Sequence, residues 1–343
     1  MNHKQVELLQ QAYLYPDKKF CYYSGKNNPK AAEILGLENW DWTPQNTVNI
    51  EPWYWNTHTL ALAFGCPVML TSEGKEWIKP LLNDPGEIDK LKVPELYSGR
   101  TGQILDSIKR ILDNYPEESL VRLPDIQSPL GVAELIMGEA LYFALLTESA
   151  KIHDLLLKIT DFIIPYISEI KNICKSRFNP ACHPQVWSDP IGYYISDDAN
   201  SMVSPEMHEE FSVEYINRIT AELGPVFYHT CTWTEAYLEN IRKVNNKKLV
   251  NWSTGTSMDP ALIIQENSGK VLMAPHIGAG THREGSLVKA GLDFQDEAEL
   301  LRYLLDNMQD NSTLYLSFEE SLFEQPDIFR KIYNHLSERG YTP

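Results

Sequence analysis

The stretch VFYHTCTW (226–233) starts as an apolar strand and ends by presenting an imidazole and a thiol two residues apart, at His229 and Cys231. Side chains two apart on a strand point the same way. If Phe227 faces the interior of a sheet, His229 and Cys231 face it too, near the strand's outlet. Three chemistries fit the pair. Imidazole and thiolate are both good zinc ligands, and zinc takes three or four of them. A buried thiol beside a hydrogen-bonded histidine fits better on spacing alone, because a lone H-x-C is a short motif. A Cys–His nucleophile pair is the third, although neighbours on one strand rarely reach the in-line geometry it needs.

Other groups able to do chemistry follow apolar stretches. Asp197 and Asp198, in ISDDANS (195–201), are adjacent, so a strand end would send one inward and one outward; the inward one would be a general acid or base. APHIGAGTHREGS (274–286) places His276 at a strand end and His282 on a glycine-rich loop, as metal ligands, proton carriers or plain loop histidines. Glu319 and Glu320 follow TLYLSF, where a carboxylate would complete a metal site or act as a base. NIEPWYWNTH (49–58) gathers Trp53, Trp55 and His58, able to line a site for a flat or apolar substrate but better suited to a core or interface. GCPVMLTSEG (65–74) reads as a strand ending at Thr71, Ser72 and Glu73, and Trp233 closes the H-x-C stretch.

These groups need a scaffold that brings strand ends together. VRLPDI (121–126) reads as a strand. It is followed by a helix capped at Ser128 with Pro129 in its first turn. Residues 147–174 have apolar positions at helical spacing despite Pro165. SPEMHEEFSVEYINRITAELG (204–224) is a helix opened by Ser204 and Pro205 and stopped by Gly224. Strand and helix then alternate through PVFYHTC, TEAYLENIRKVN, KLVNWS, DPALIIQENSG, KVLMAPHI, DEAELLRYLLDNMQD, STLYLSFE and PDIFRKIYNHLSERG. That order predicts an α/β fold with a parallel sheet, closed as a (β/α)8 TIM barrel with its active groups at the strand C-termini. The expected organisation is a single domain over 1–343, with an amphipathic helical extension in 1–45.

Composition bounds the function. The chain has 343 residues, 43% of them hydrophobic, which supports a sizeable core. Its formal net charge of −17 repels nucleic-acid backbones and anionic membranes. No run approaches the roughly 20 apolar residues of a membrane span, and no signal-peptide pattern opens the chain. Five cysteines (21, 66, 174, 182 and 231) without CxxC spacing read as reduced thiols, so a cytoplasmic location is expected. A small-molecule substrate is the expected partner, and exposed aromatics on a barrel of this size point to a homodimer.

The run ISDDANSMVSPEMHEEFSVEYINRI, followed by GPVFYHTCTW, resembles the uroporphyrinogen decarboxylase superfamily, which also contains corrinoid- and cobalamin-dependent methyltransferases. RLPDIQSPLGVAELIMG and WSTGTSMDP resemble further family segments, from about residue 60 to the end. The resemblance implies a (β/α)8 barrel. In the methyltransferase branch it implies zinc held by His229 and Cys231, with a corrinoid carried on a partner protein. That branch's second cysteine follows the last strand; this chain has LSFEE there, so Glu319 or Glu320 would substitute. The decarboxylase branch uses an N-terminal arginine pair, whereas residues 1–26 contain no arginine, and Ser72 and Glu73 stand where its catalytic aspartate follows an early strand. The expected activity is therefore zinc-dependent methyl transfer between a small substrate or thiol and a corrinoid, with Asp198 at the substrate's non-metal end. Alternatives are a metal-free decarboxylase or lyase using Asp198, His229 and His276, and a non-catalytic binder of a small ligand.

Overall fold

A computed structural model describes residues 21–24, 47–50, 57–72, 74, 76–180, 182, 192–231, 234–254, 258–278, 280–283, 291–318, 322 and 325–341. In chain order its elements begin with β1 (Cys21–Ser24), β2 (Thr47–Val48), α1 (Thr59–Ala63), β3 (Val68–Leu70), β4 (Glu76–Ile78) and α2 (Gly99–Asn114). β5 (Leu120–Arg122), α3 (Pro129–Met137), α4 (Ala140–Thr147), α5 (Ser149–Cys174), β6 (Phe178–Asn179) and β7 (Tyr193–Ser196) follow. The helix opened by Ser204 runs through α6 (Pro205–His208), a π-helical segment (Glu209–Val213) and α7 (Glu214–Leu223). Then come β8 (Val226–Thr230), α8 (Leu238–Lys243), β9 (Lys247–Ser253), α9 (Pro260–Asn267), β10 (Leu272–Ile277), α10 (Glu297–Asp306), β11 (Leu314–Phe318) and α11 (Pro326–Glu338).

Six strands form one sheet in the order β1-β11-β10-β9-β8-β7, and its pairings are all parallel. β2, β5 and β6 form a second parallel sheet. A bridge between Gln127 and Ser196 joins the two. Pro124 explains why β5 is shorter than the apolar run 121–126. Proline has no N–H for a ladder, so the segment turns from one neighbour to another: Leu123 donates to Asn179, and Ser196 then donates to Ile126. Pairing that closes the row between β1 and β2 is not among the contacts of the described residues.

The strands carrying the site are buried throughout β7 and β8, as parallel strands covered on both faces must be. Gly192 starts β7 at φ +103°, and a Cβ there would lie 2.1 Å from the Pro225 carbonyl oxygen. Ser128 caps α3 by accepting from Gly131. α5 buries Ile152, Leu155, Leu156, Ile159, Phe162, Ile163, Tyr166, Ile167 and Ile170. Its Pro165 stays on the exposed side, where a lost backbone bond is replaced by water.

The early strand at 65–74 departs from expectation. β3 pairs antiparallel with β4, turning back near Gly74 at φ +76°. It stands outside the parallel row, with Val68 51% and Leu70 68% exposed. The amphipathic helix expected at the N-terminus lies outside the described residues. Among the described residues no single helix is long and apolar enough to cross a membrane. Cys66, Cys174, Cys182 and Cys231 are free thiols.

Candidate functional site

The site grows from one row of registered strand positions. Ser196 on β7 pairs with His229 on β8, and His229 pairs with Asn251 on β9. Residues in register on parallel strands face the same side, so these three side chains line up near the strand outlets. His229 is 8% exposed. Asn251 Nδ2 donates to the Ala274 carbonyl at 2.5 Å, which leaves its Oδ1 toward His229 Nδ1, also at 2.5 Å. An amide oxygen only accepts. Nδ1 therefore carries the imidazole proton, and the lone pair on Nε2 faces Cys231 Sγ at 3.2 Å.

Asp198 brings the third group. It opens a short 3-10 helix immediately after β7 (Asp198–Met202). Ser196 Oγ donates to its Oδ2 at 2.7 Å, and the Cys231 backbone N–H donates to its Oδ1 at 2.6 Å. Donor atoms of Asp198, His229 and Cys231 lie within 4.8 Å of one another, a set able to hold a metal ion. Ligands around a tetrahedral zinc stand roughly 3.3–3.8 Å apart. The three fit such an ion after small side-chain rotations, and the lone pair on Nε2 already faces inward.

The electrostatics agree with a site built for a cation. Burial pushes the Cys231 thiol up to about 12, with the Asp198 and Asp125 carboxylates acting in the same direction. Burial also lowers His229, helped by His276 and opposed by Asp198 and Asn251. A neutral imidazole beside a protonated thiol is no activated nucleophile pair, which disfavours the Cys–His nucleophile. A divalent cation inverts this balance, because it deprotonates a coordinated thiol.

Near this row lies a second acid. Asp125 is buried and accepts from Gln127 Nε2 at 3.2 Å. Burial, then the nearby Asp198 charge, raises its carboxyl to about 7. Tyr194, whose ring stacks against His229 with centroids 6.0 Å apart, lies beside Asp125, and burial raises its hydroxyl well above the usual range.

The expected residues divide in three ways. His229, Cys231 and Asp198 come together. His276 is half-buried near the end of β10, close enough to His229 to help lower its pKa. Asp197 does not join them: it is 0% exposed and enclosed by helix side chains, so the two adjacent acids do face opposite ways. His58 is buried against Trp77, with ring centroids 4.6 Å apart, and Ser72 is exposed beside the antiparallel hairpin. Trp53, Trp55, Glu73, Trp233, Glu319 and Glu320 lie outside the described residues, as does the side chain of His282. Sequence reasoning overlooked Asn251, Asp125 and Tyr194. Their one signal was a polar atom inside an apolar strand, at KLVNWS, RLPDI and GYYIS.

Residues 52–172 match the family model described as uroporphyrinogen decarboxylase (URO-D). No curated protein matches the chain significantly. Among solved structures, a methyltransferase from Methanosarcina mazei has the same fold at a TM-score of 0.62 and 13% identity, over 97% of this chain and 98% of that one. The likeness to the uroporphyrinogen decarboxylase family is thus carried by residues 52–172, and the likeness to the Methanosarcina structure along the length of the chain is one of fold.

Proposed function

We propose that the chain is a zinc-dependent, methyltransferase-like enzyme on a single (β/α)8 barrel, moving a methyl group between a small substrate and a corrinoid carried by a partner protein. The observation that carries this reading is the convergence of Asp198, His229 and Cys231 donors within 4.8 Å. His229 Nε2, Cys231 Sγ and one Asp198 oxygen would hold the ion, leaving a position for a substrate thiol or hydroxyl or for Glu319 or Glu320. Bound there, zinc would act as a Lewis acid, lowering the pKa of the coordinated group. Asn251 keeps the His229 proton on Nδ1, away from the ligand position. Ser196 and the Cys231 amide orient Asp198. His276, half-buried near the end of β10, would take or return the substrate's proton. The Methanosarcina neighbour is called a methyltransferase, which accords with the reading.

The test is metal content followed by chemistry. Protein purified without chelator should hold about one zinc per chain and transfer the methyl of methylcobalamin to a thiol. Less than about a third of an equivalent, with none regained on soaking, would overturn the metal reading. One observation favours a metal-free lyase instead: Asp125, with its carboxyl near 7, suits acid–base work at neutral pH. Activity on a small acid that survives chelator would select that reading.

A further inference from the structure

Asp197, adjacent to the proposed ligand Asp198, is the hub of a fully buried polar cluster. Its Oδ2 accepts from His208 Nε2 at 2.8 Å and from the Tyr228 hydroxyl at 2.7 Å. Its Oδ1 accepts from Ser212 Oγ at 2.7 Å. Its backbone N–H donates to the His229 carbonyl at 2.9 Å. Asn240 Nδ2 lies 3.3 Å from His208 Nδ1 and donates to it, which places the His208 proton on Nε2, toward Asp197.

Each tie ends on a segment that carries a ligand, or on the helix that braces one. Asp197 is bonded covalently to Asp198. It holds β8 twice, through Tyr228 and through the His229 carbonyl, on either side of the His229 Cα. It holds the helix through His208, which precedes the π-helical segment, and Ser212, near that segment's end, four residues apart. π-Helical turns recur where a helix must re-aim side chains at a functional site. Asp197, Tyr228, His208 and Ser212 are all at most 1% exposed, so none of them meets a substrate. An isolated buried carboxylate is costly; three side-chain donors offset that cost and leave Asp197 one orientation.

We infer that Asp197 is a positioning residue, which clamps β7, β8 and the π-helical turn together so that the Asp198 carboxylate is aimed at His229 and Cys231. The inference rests on the metal reading above for its purpose. Its geometric content is independent, because Asp198 also accepts the Cys231 amide proton.

The experiment therefore reads two quantities in the full chain. Cobalt(II) titration gives metal affinity and the visible spectrum of the ligand set, and hydrogen exchange by mass spectrometry gives protection of the Cys231 amide. The variants are Asp197→Asn and the milder Ser212→Ala, which keeps the carboxylate and carries the test if Asp197→Asn does not fold. Leu156→Ala, a cavity on α5, supplies loss of stability alone. Both site variants should weaken cobalt binding at least about tenfold and speed Cys231 exchange by a similar factor, while Leu156→Ala at matched stability changes neither. Wild-type values in both site variants, or equal changes in Leu156→Ala, would overturn the inference. Should the wild-type chain take up no cobalt, the metal reading fails and the exchange comparison alone decides the positioning role.

Discussion

Across the β8–β9 pair, the Asn251 amide oxygen meets His229 Nδ1 at 2.5 Å, with the Asn251 amide nitrogen spent on the Ala274 carbonyl. A protein that only needed to bury a histidine would accept either tautomer. Here the choice is forced, and the free lone pair faces the thiol.

Removing that constraint should therefore hurt binding and stability together. Asn251→Leu leaves His229 Nδ1 and the Ala274 carbonyl without their partner inside the core. The expected cost is about 1–3 kcal/mol in unfolding free energy, with metal affinity falling roughly 10- to 100-fold. Urea denaturation and a competitive zinc titration measure the two effects. A variant that loses stability but keeps wild-type zinc affinity would show that the tautomer does not matter to the ligand set.

Cys231 gives a prediction in the metal-free protein. It is exposed, yet burial of its sulfur and the Asp198 and Asp125 charges raise the thiol to about 12. Alkylation requires the thiolate. At pH 7 the thiolate fraction is about three thousandfold below that of an ordinary cysteine of pKa about 8.5. Iodoacetamide labelling of Cys231, followed by peptide mass spectrometry, should be slow at pH 7 and climb about tenfold per pH unit up to pH 10. A rate that levels off near pH 9 would contradict the acidic environment assigned to the sulfur.

Gly192 tests the placement of β7. At φ +103°, with a Cβ 2.1 Å from the Pro225 carbonyl oxygen, alanine meets both a strained backbone and a backbone collision. The loss expected for Gly192→Ala is about 2–4 kcal/mol, visible as a lowered urea midpoint. Because β7 delivers Ser196 and Asp198, stoichiometric metal binding should fall with it. A wild-type midpoint would mean that the strand starts elsewhere.

The elements were readable wherever the chain announces their ends. Ser128–Pro129, Ser204–Pro205, Gly224 and Asp259–Pro260 bracket helices in the sequence and in the structure. His229 and Cys231 were readable because a two-residue period survives in VFYHTC. Parity also said that only one of Asp197 and Asp198 turns toward the pair. Which one was not legible, because the chain leaves β7 for a 3-10 turn there. Asn251 was hidden for another reason. Its partnership depends on the register of β8 against β9, which shifts between Val226 and Phe227, and no local pattern encodes a register between strands. The early strand at β3 misled because an apolar run does not reveal its pairing direction; Gly74 turns it back on β4.

The buried Asp197 cluster sets the acid limb of stability. Burial by itself would raise the Asp197 carboxyl, but the His208 imidazole and the hydroxyl donors outweigh it, and the net shift is downward. A carboxyl whose folded pKa lies below its unfolded value, about 3.9, stabilises the fold fully above that value. The contribution fades as pH falls through the folded pKa. Asp197→Asn removes the carboxylate to which His208, Tyr228 and Ser212 all donate, at an expected cost of about 1–3 kcal/mol near neutrality. The gap between wild type and variant should stay constant from pH 7 to about 5 and then narrow as pH falls through 4 toward 3. Urea midpoints across that range measure it. A gap that widens on acidification would mean that the carboxyl is held protonated in the fold, reversing the sign of its coupling to pH.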